Sequence, residues 1–345
     1  MVKTKNKVLL ILFAPVLLSG VFFYGYILFQ KNSFSFYNST IKFEENEKLL
    51  RAVQFKNEEL FEGEVNYSKE KTKDRKKLKS FFNRKKDYQE VFAQCPEKES
   101  SQKENRRTIA GIAPHHFLAK KSLACFYNNI SRSSIENVIL IGPDHFHNTF
   151  PEKISFYTTK KVWETPFGDL LPNEKIISEI TKLPFIREND DIFLTEHSIY
   201  TEIPFIKKVF PQAKIVPLVV KNGSDYQSFM KEGERLKNLI KDSGETILLV
   251  SSDFTHHSTN KEAIIKDAQS IKILKTKNFN KINKITCDCR SCLAVLFGYL
   301  NKTNSNNTIS DNYQFQLFAN KNSTNFGGAD KNVTSYVMGE YLQND

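Results

Sequence analysis

Cysteine is scarce, with five residues in 345. Small disulfide-built scaffolds carry it far more densely, so that class is excluded. Internal repeats and low-complexity tracts are missing, which removes solenoids and repeat arrays. No Gly-x-Ser-x-Gly elbow occurs. A serine hydrolase is therefore the weaker reading of Ser251, Ser252, Asp253 and His256, although they stand close together. Acidic residues are outnumbered, with Asp+Glu 39 against Lys+Arg 50 and a net charge of +11. The surplus lies mostly before residue 108, and residues 108–345 carry 28 basic against 25 acidic side chains. A nucleic-acid enzyme concentrates positive charge on its folded groove, so no nucleic-acid partner is expected. An apolar fraction of 40% is enough for a packed core.

One long uncharged run is present, Val8–Phe29, preceded by Lys3, Lys5 and Lys7. As a helix it would span about 33 Å, enough for a hydrocarbon core of ~30 Å. The positive-inside rule keeps the leading lysines in the cytoplasm. The expectation is a single-pass N-terminal membrane anchor over residues 1–30, through residues 8–29, with the bulk of the chain extracytoplasmic. A cleaved signal peptide is the rival. Its apolar part is shorter, and the flank Gln30-Lys31-Asn32-Ser33 offers no small-x-small cleavage site.

Residues 31–105 read as a charged, partly helical linker. Lys69–Lys86 holds ten basic and two acidic residues, the mark of a solvated face or a spacer. Phe43, Leu49, Leu50, Val53 and Leu60 have helical spacing over residues 43–60. The folded domain is expected over residues 106–345. There, short apolar runs alternate with amphipathic segments. Strands are expected at Thr108–Ala113, Asn137–Ile141, Ile154–Thr158, Ala213–Val220, Thr246–Ser251, Tyr313–Ala319 and Ser335–Leu342. Helices are expected at Leu118–Ile130, Asn173–Leu183, Ile199–Phe210, Ser224–Lys241, Lys261–Lys275 and Ser291–Asn301. The fold class is α/β, a mostly parallel or mixed central sheet with helices on both faces. Ligands of such sheets bind beyond the carboxyl ends of the strands.

All seven histidines fall between residues 115 and 257. His115 and His116 follow the first strand, His145 and His147 the second, and His256 and His257 a later one. His197 sits in Thr195-Glu196-His197-Ser198, before a helix. Three motifs thus lie where a strand ends, on one edge if the sheet is parallel. Imidazole is the commonest metal ligand, and a nearby carboxylate commonly fixes its tautomer. Asp144, Glu196 and Asp253 are placed for that. Two histidines with a carboxylate or thiolate suit non-haem iron or copper. Cys287-Asp288-Cys289-Arg290-Ser291-Cys292 can bind a soft metal or form a disulfide, and an odd total of five leaves one thiol unpaired. Cys125, on an expected helix, reads as a small core residue.

These strings resemble the Memo family, whose prokaryotic members are called AmmeMemoRadiSam system protein B. The matching strings are Ile112-Ala113-Pro114-His115, Ile141-Gly142-Pro143-Asp144-His145, Trp163-Glu164-Thr165-Pro166-Phe167-Gly168, Glu196-His197-Ser198-Ile199 with Pro204, Ser251-Ser252-Asp253-Phe254-Thr255-His256, and Ser335-Tyr336-Val337-Met338-Gly339. The resemblance implies a fold similar to class III extradiol dioxygenases (LigB-like). It also implies an iron or copper ion on His115, His145 and a late cysteine. Counting back from the last helix places that cysteine at Cys287, with Cys289 as fallback. It further implies His256 as the proton-transfer group and Asp253 as its partner or an additional ligand. The sequence departs from the family at Phe146, at Glu202 in place of a second His, and at Asp288 in place of a Gly. The implied activity is a redox or dioxygenase-like reaction on a small molecule. The alternative is a non-catalytic module, tethered to the membrane, that binds a small-molecule or peptide ligand.

Overall fold

The computed structural model describes residues 77–81, 84–95, 107–130, 135–146, 150–301 and 313–343. The run Val8–Phe29, the helix expected over 43–60 and His147 lie outside these residues. No helix among the described residues is long and apolar enough to cross a membrane. The anchored architecture is corrected accordingly. The fold of the described residues is the α/β unit, and neither a transmembrane helix nor an extracytoplasmic location is carried forward.

In chain order the elements are β1 (Lys77–Lys79), α1 (Lys85–Ala93), β2 (Arg107–Ala113), α2 (Lys120–Asn129), β3 (Asn137–Pro143), β4 (Phe156–Thr158), β5 (Val162–Glu164), α3 (Glu174–Ile180) and β6 (Ile186–Glu188). There follow α4 (His197–Tyr200), α5 (Ile203–Val209), β7 (Lys214–Val220), α6 (Tyr226–Ile240), β8 (Thr246–Ser251), α7 (Asn260–Thr276), α8 (Arg290–Leu300), β9 (Tyr313–Asn322) and β10 (Ser335–Gln343). Eight strands form one mixed sheet in the order β6-β4-β7-β3-β8-β2-β10-β9. The inner strands β7, β3, β8 and β2 are parallel. Antiparallel β10 and β9 complete one side, and β4 runs antiparallel to β7 on the other.

Side chains on β3 and β8 alternate between two apolar layers. Val138, Leu140, Ile247 and Leu249 face the layer of α1, α2, α4 and α5. Ile139, Ile141, Leu248 and Val250 face that of α3, α6, α7 and α8. Both strands are buried along their whole length, which is why they read as unbroken apolar runs. The single helix expected over Ile199–Phe210 is two, α4 and α5. Pro204 falls in the first turn of α5, where its missing N–H costs nothing.

The segment expected as linker also contributes to the packed unit. Strand β1 pairs with β5, Tyr88 of α1 is fully buried against Phe117 and Phe205, and Cys95 is bridged to Cys125 of α2. Charged Lys85, Lys86, Asp87 and Glu90 surround the two buried positions of α1, Tyr88 and Val91, and mask them in the sequence. Cys125, expected as a plain core residue, is half of a disulfide.

Helices α6 and α8 touch backbone to backbone. A Cβ on Gly298 would overlap the carbonyl oxygen of Met230, and one on Gly233 that of Val295. Backbone cannot yield as a side-chain tip does. Gly298→Ala is therefore expected to destabilise the protein by about 3 kcal/mol, read as a lower denaturant midpoint. An unchanged midpoint would show that the two helices separate freely.

Candidate metal centre

Three parallel strands end side by side, and each delivers a histidine. His115 lies two residues beyond β2, His145 two beyond β3, and His256 five beyond β8. The rings of His115 and His145 lie 5.0 Å apart, centre to centre. A fourth histidine enters from α4. His197 lies 4.2 Å from the His145 ring and 4.9 Å from that of His115. Gly142 makes this approach possible, because a Cβ there would collide with the Ser198 hydroxyl. That hydroxyl instead donates to the Pro143 carbonyl at 2.9 Å and holds α4 on the strand end.

The carboxylate at the centre is Asp288. Its Oδ2 lies 3.2 Å from His115 Nε2, 3.8 Å from His145 Nε2 and 3.9 Å from His256 Nε2. It is held in place from behind. Ser252 donates its hydroxyl to Asp288 Oδ1 at 2.7 Å, and the Asp253 N–H donates to Oδ2 at 3.1 Å. Asp253 accepts the His115 backbone N–H on Oδ1 at 3.1 Å, while its Oδ2 is 3.9 Å from His115 Nε2.

The family resemblance implies Cys287 as the third donor, the anionic one, and places Asp288 at a family glycine. The structure brings the neighbouring carboxylate to the rings. Cys287 stands outside both potential metal-holding groups of the described residues, which are His115, His145 and His197, and His115, Asp253 and Asp288. Its thiol, half-buried, is pushed up to about 12, chiefly by loss of solvent. The fallback Cys289 is bonded to Cys292 and has no free thiol to offer. His197, which starts α4 and follows no strand, has no ligand role in the expected set. Its neighbour Glu196 was the available signal.

The donor atoms suit a metal ion. His115 Nδ1 is engaged by the Ser251 hydroxyl at 3.1 Å and His145 Nδ1 by Glu196 Oε1 at 2.8 Å. Each ring therefore turns its Nε2 toward Asp288, the arrangement by which outer partners orient metal-binding histidines. Without a metal, protons serve the same function. Burial alone would lower the His145 imidazole, but the Glu196 charge and hydrogen bonds to Asp288 and Glu196 raise it to about 10. Burial would raise the Asp288 carboxyl, but His115 and His145 hold it well below the usual range. His197 and His256 go the other way, since burial keeps both neutral. His256 Nε2 is buried and makes no hydrogen bond to a described residue. His116 Nδ1 meets the Tyr336 hydroxyl at 2.5 Å, and His257 turns outward to Asn332 at 2.6 Å.

The profile of a family described as Memo-like protein matches residues 66–339 of this chain. The chain is 30% identical to a MEMO1 family protein of Caldivirga maquilingensis over 182 residues, 51% of this chain and 63% of the relative. It is 33% identical to MEMO1 family protein TV1383 of Thermoplasma volcanium, over 47% and 60% of the two chains. A third relative, from Sulfolobus acidocaldarius, is 27% identical over 55% and 66%. The matches span about three fifths to two thirds of these relatives' own lengths. A solved structure, uncharacterized protein JW3007 of Escherichia coli K12, has a TM-score of 0.43 at 10% identity, covering 68% of this chain and 99% of that one.

Proposed function

Because the chain belongs to the Memo family, we propose that its strand-end cluster holds a metal ion and serves a redox, dioxygenase-like reaction on a small phenolic or other polar molecule. One observation carries this reading. The Nε2 atoms of His115 and His145 converge on Asp288 Oδ2 while their Nδ1 atoms are already engaged. Two imidazoles and a carboxylate favour non-haem iron, whereas the thiolate expected from the sequence would have favoured copper. Bound there, the metal would polarise an oxygen atom of its ligand. The protein's own residues supply the rest. Asp253 fixes the turn that carries His115. Glu196 fixes the His145 ring and, through its bond from the Ser198 N–H, the start of α4. His256, kept neutral by burial and with no hydrogen bond at Nε2 to a described residue, is the group that accepts a proton.

The test is metal content and turnover of the full chain, purified and reconstituted with iron(II) without oxygen. About one equivalent is expected in the wild type and less than about a tenth in His115→Ala. His256→Ala should keep its metal within about twofold yet slow oxygen uptake with a catechol panel about a hundredfold or more. Equal metal loss from both variants would refute this division of roles. Wild-type protein that takes up no metal would remove the enzyme reading.

A further inference from the structure

Ile264 and Ile265 stand side by side on the outer face of α7. Among the described residues they are the most exposed large apolar side chains, at 56% and 61%. At about 100° per residue, the two bound an arc about 100° wide around the helix axis. Lys261, Ala268, Lys272 and Lys275 all fall inside that arc, and all are exposed. The stripe is thus an apolar centre with one lysine before it and two after. None of the three lysines is ion-paired among the described residues. Neither acid of α7 lies in the arc. Asp267 is buried, its Oδ1 accepting the Thr255 and Ser335 hydroxyls at 2.8 Å each. Glu262 closes the N-terminal turn, accepting the Thr259 N–H at 2.9 Å and its hydroxyl at 3.0 Å. Ala263, Ser270, Ile273 and Leu274 are buried on the opposite face. The helix is therefore fixed from behind, and a partner need not order the stripe in order to bind it.

We propose that this stripe docks an acidic amphipathic helix of a partner protein. The chemistry selects that occupant. Adjacent isoleucines in water favour an apolar cover. Lysines at both ends of the same stripe favour carboxylates beside that cover. A partner helix with apolar residues at its centre and Asp or Glu about one to two turns away on the same face answers both. A membrane surface does not. Helices that lie in a lipid interface keep lysine on the face away from the apolar one, whereas here both share one face. A second copy of this chain would set lysine against lysine, with no acid in the stripe to answer it. The isoleucines are the anchor and the lysines the rim. No residue of the stripe belongs to the strand-end cluster, so this surface and the metal reading stand or fall separately.

Fluorescence anisotropy with the full chain tests the proposal. The probe is a labelled synthetic helix about five turns long, the length of α7. It carries paired leucines at its centre and glutamates toward both ends of the same face. A second probe has lysines in place of those glutamates. Vesicles of phosphatidylcholine and phosphatidylserine are the third. The acidic probe is expected to bind at least about tenfold more tightly than the lysine probe. Ile264→Ser combined with Ile265→Ser should weaken it about tenfold or more. Lys261→Glu combined with Lys272→Glu should reverse the preference, so that the lysine probe binds the better. All four positions are exposed, so both double variants should keep the wild-type circular dichroism and thermal midpoint. No binding of the acidic probe, or binding that either double variant leaves unchanged, would overturn the proposal. Vesicle binding lost in the same variants, without peptide binding, would overturn it in favour of a lipid surface.

Discussion

Asp288→Asn is expected to lower affinity for iron(II) or zinc(II) by more than about a hundredfold, since losing even an outer partner of a metal ligand costs about 10–100-fold. Anaerobic titration calorimetry reads this directly. Cys287→Ser is the control and should stay within about threefold of the wild type. Comparable loss from both would return the thiol to the coordination sphere. The Asn variant carries a second signature without metal. His115 and His145 lose the carboxylate that compensates them, and removing one partner of a buried charge cluster costs about 3–5 kcal/mol. The Asp288 carboxyl is depressed in the folded chain. Its contribution is thus present above the ordinary carboxylate range and is lost as pH falls through the depressed value. Wild type and variant should converge in acid and separate toward neutrality.

Glu202 titrates in the opposite sense. It is fully buried, its Oε2 accepts the Tyr127 hydroxyl at 2.5 Å, and its Oε1 has no hydrogen bond to a described residue. Burial raises its carboxyl from the ordinary 4.5 to about 8, against the opposing Tyr127 bond. Between those values the folded chain holds one proton more than the unfolded chain. Stability due to this group is complete below 4.5 and is lost as pH rises through about 8. At about 1.4 kcal/mol per unit the total is roughly 5 kcal/mol. Glu202→Gln keeps the shape and cannot ionise. It should match the metal-free wild type near pH 4.5 and exceed its stability by several kcal/mol near pH 9. Glu232, raised to about 7 chiefly by burial, adds a slope common to both proteins. Parallel stability curves would show that Glu202 is ionised throughout in the folded chain.

The parts of this protein visible in its sequence are those with a local signature. β2, β3 and β8 each carry an apolar run, and the histidines after them fall on one edge because the strands are parallel. The carboxylate that meets the imidazoles was harder to read. The turn before α8 has no period, and counting back from that helix points to Cys287, the residue before Asp288. The pairing of Cys289 with Cys292, and of Cys95 with Cys125, is a matter of distance in space that residue order does not encode. Likewise, α1 buries only Tyr88 and Val91 within a strongly charged stretch, too thin an apolar face to stand out.

The strand order β7-β3-β8-β2 also bears on how the chain reaches its final state. The paired parallel strands, β2 with β8 and β3 with both β7 and β8, lie far apart along the chain, so these pairings are slow to form. His115 follows β2, His145 and His197 lie between β3 and β7, and Asp253 and Asp288 follow β8, so they meet only when the inner sheet is complete. A partly folded chain can offer no more than fragments of the coordination sphere. Metal should then bind the finished fold alone, act late in folding, and slow unfolding rather than hasten collapse. At a free concentration of about 100 times the dissociation constant, it would add about 2.7 kcal/mol to the whole unit, far from the atoms it touches.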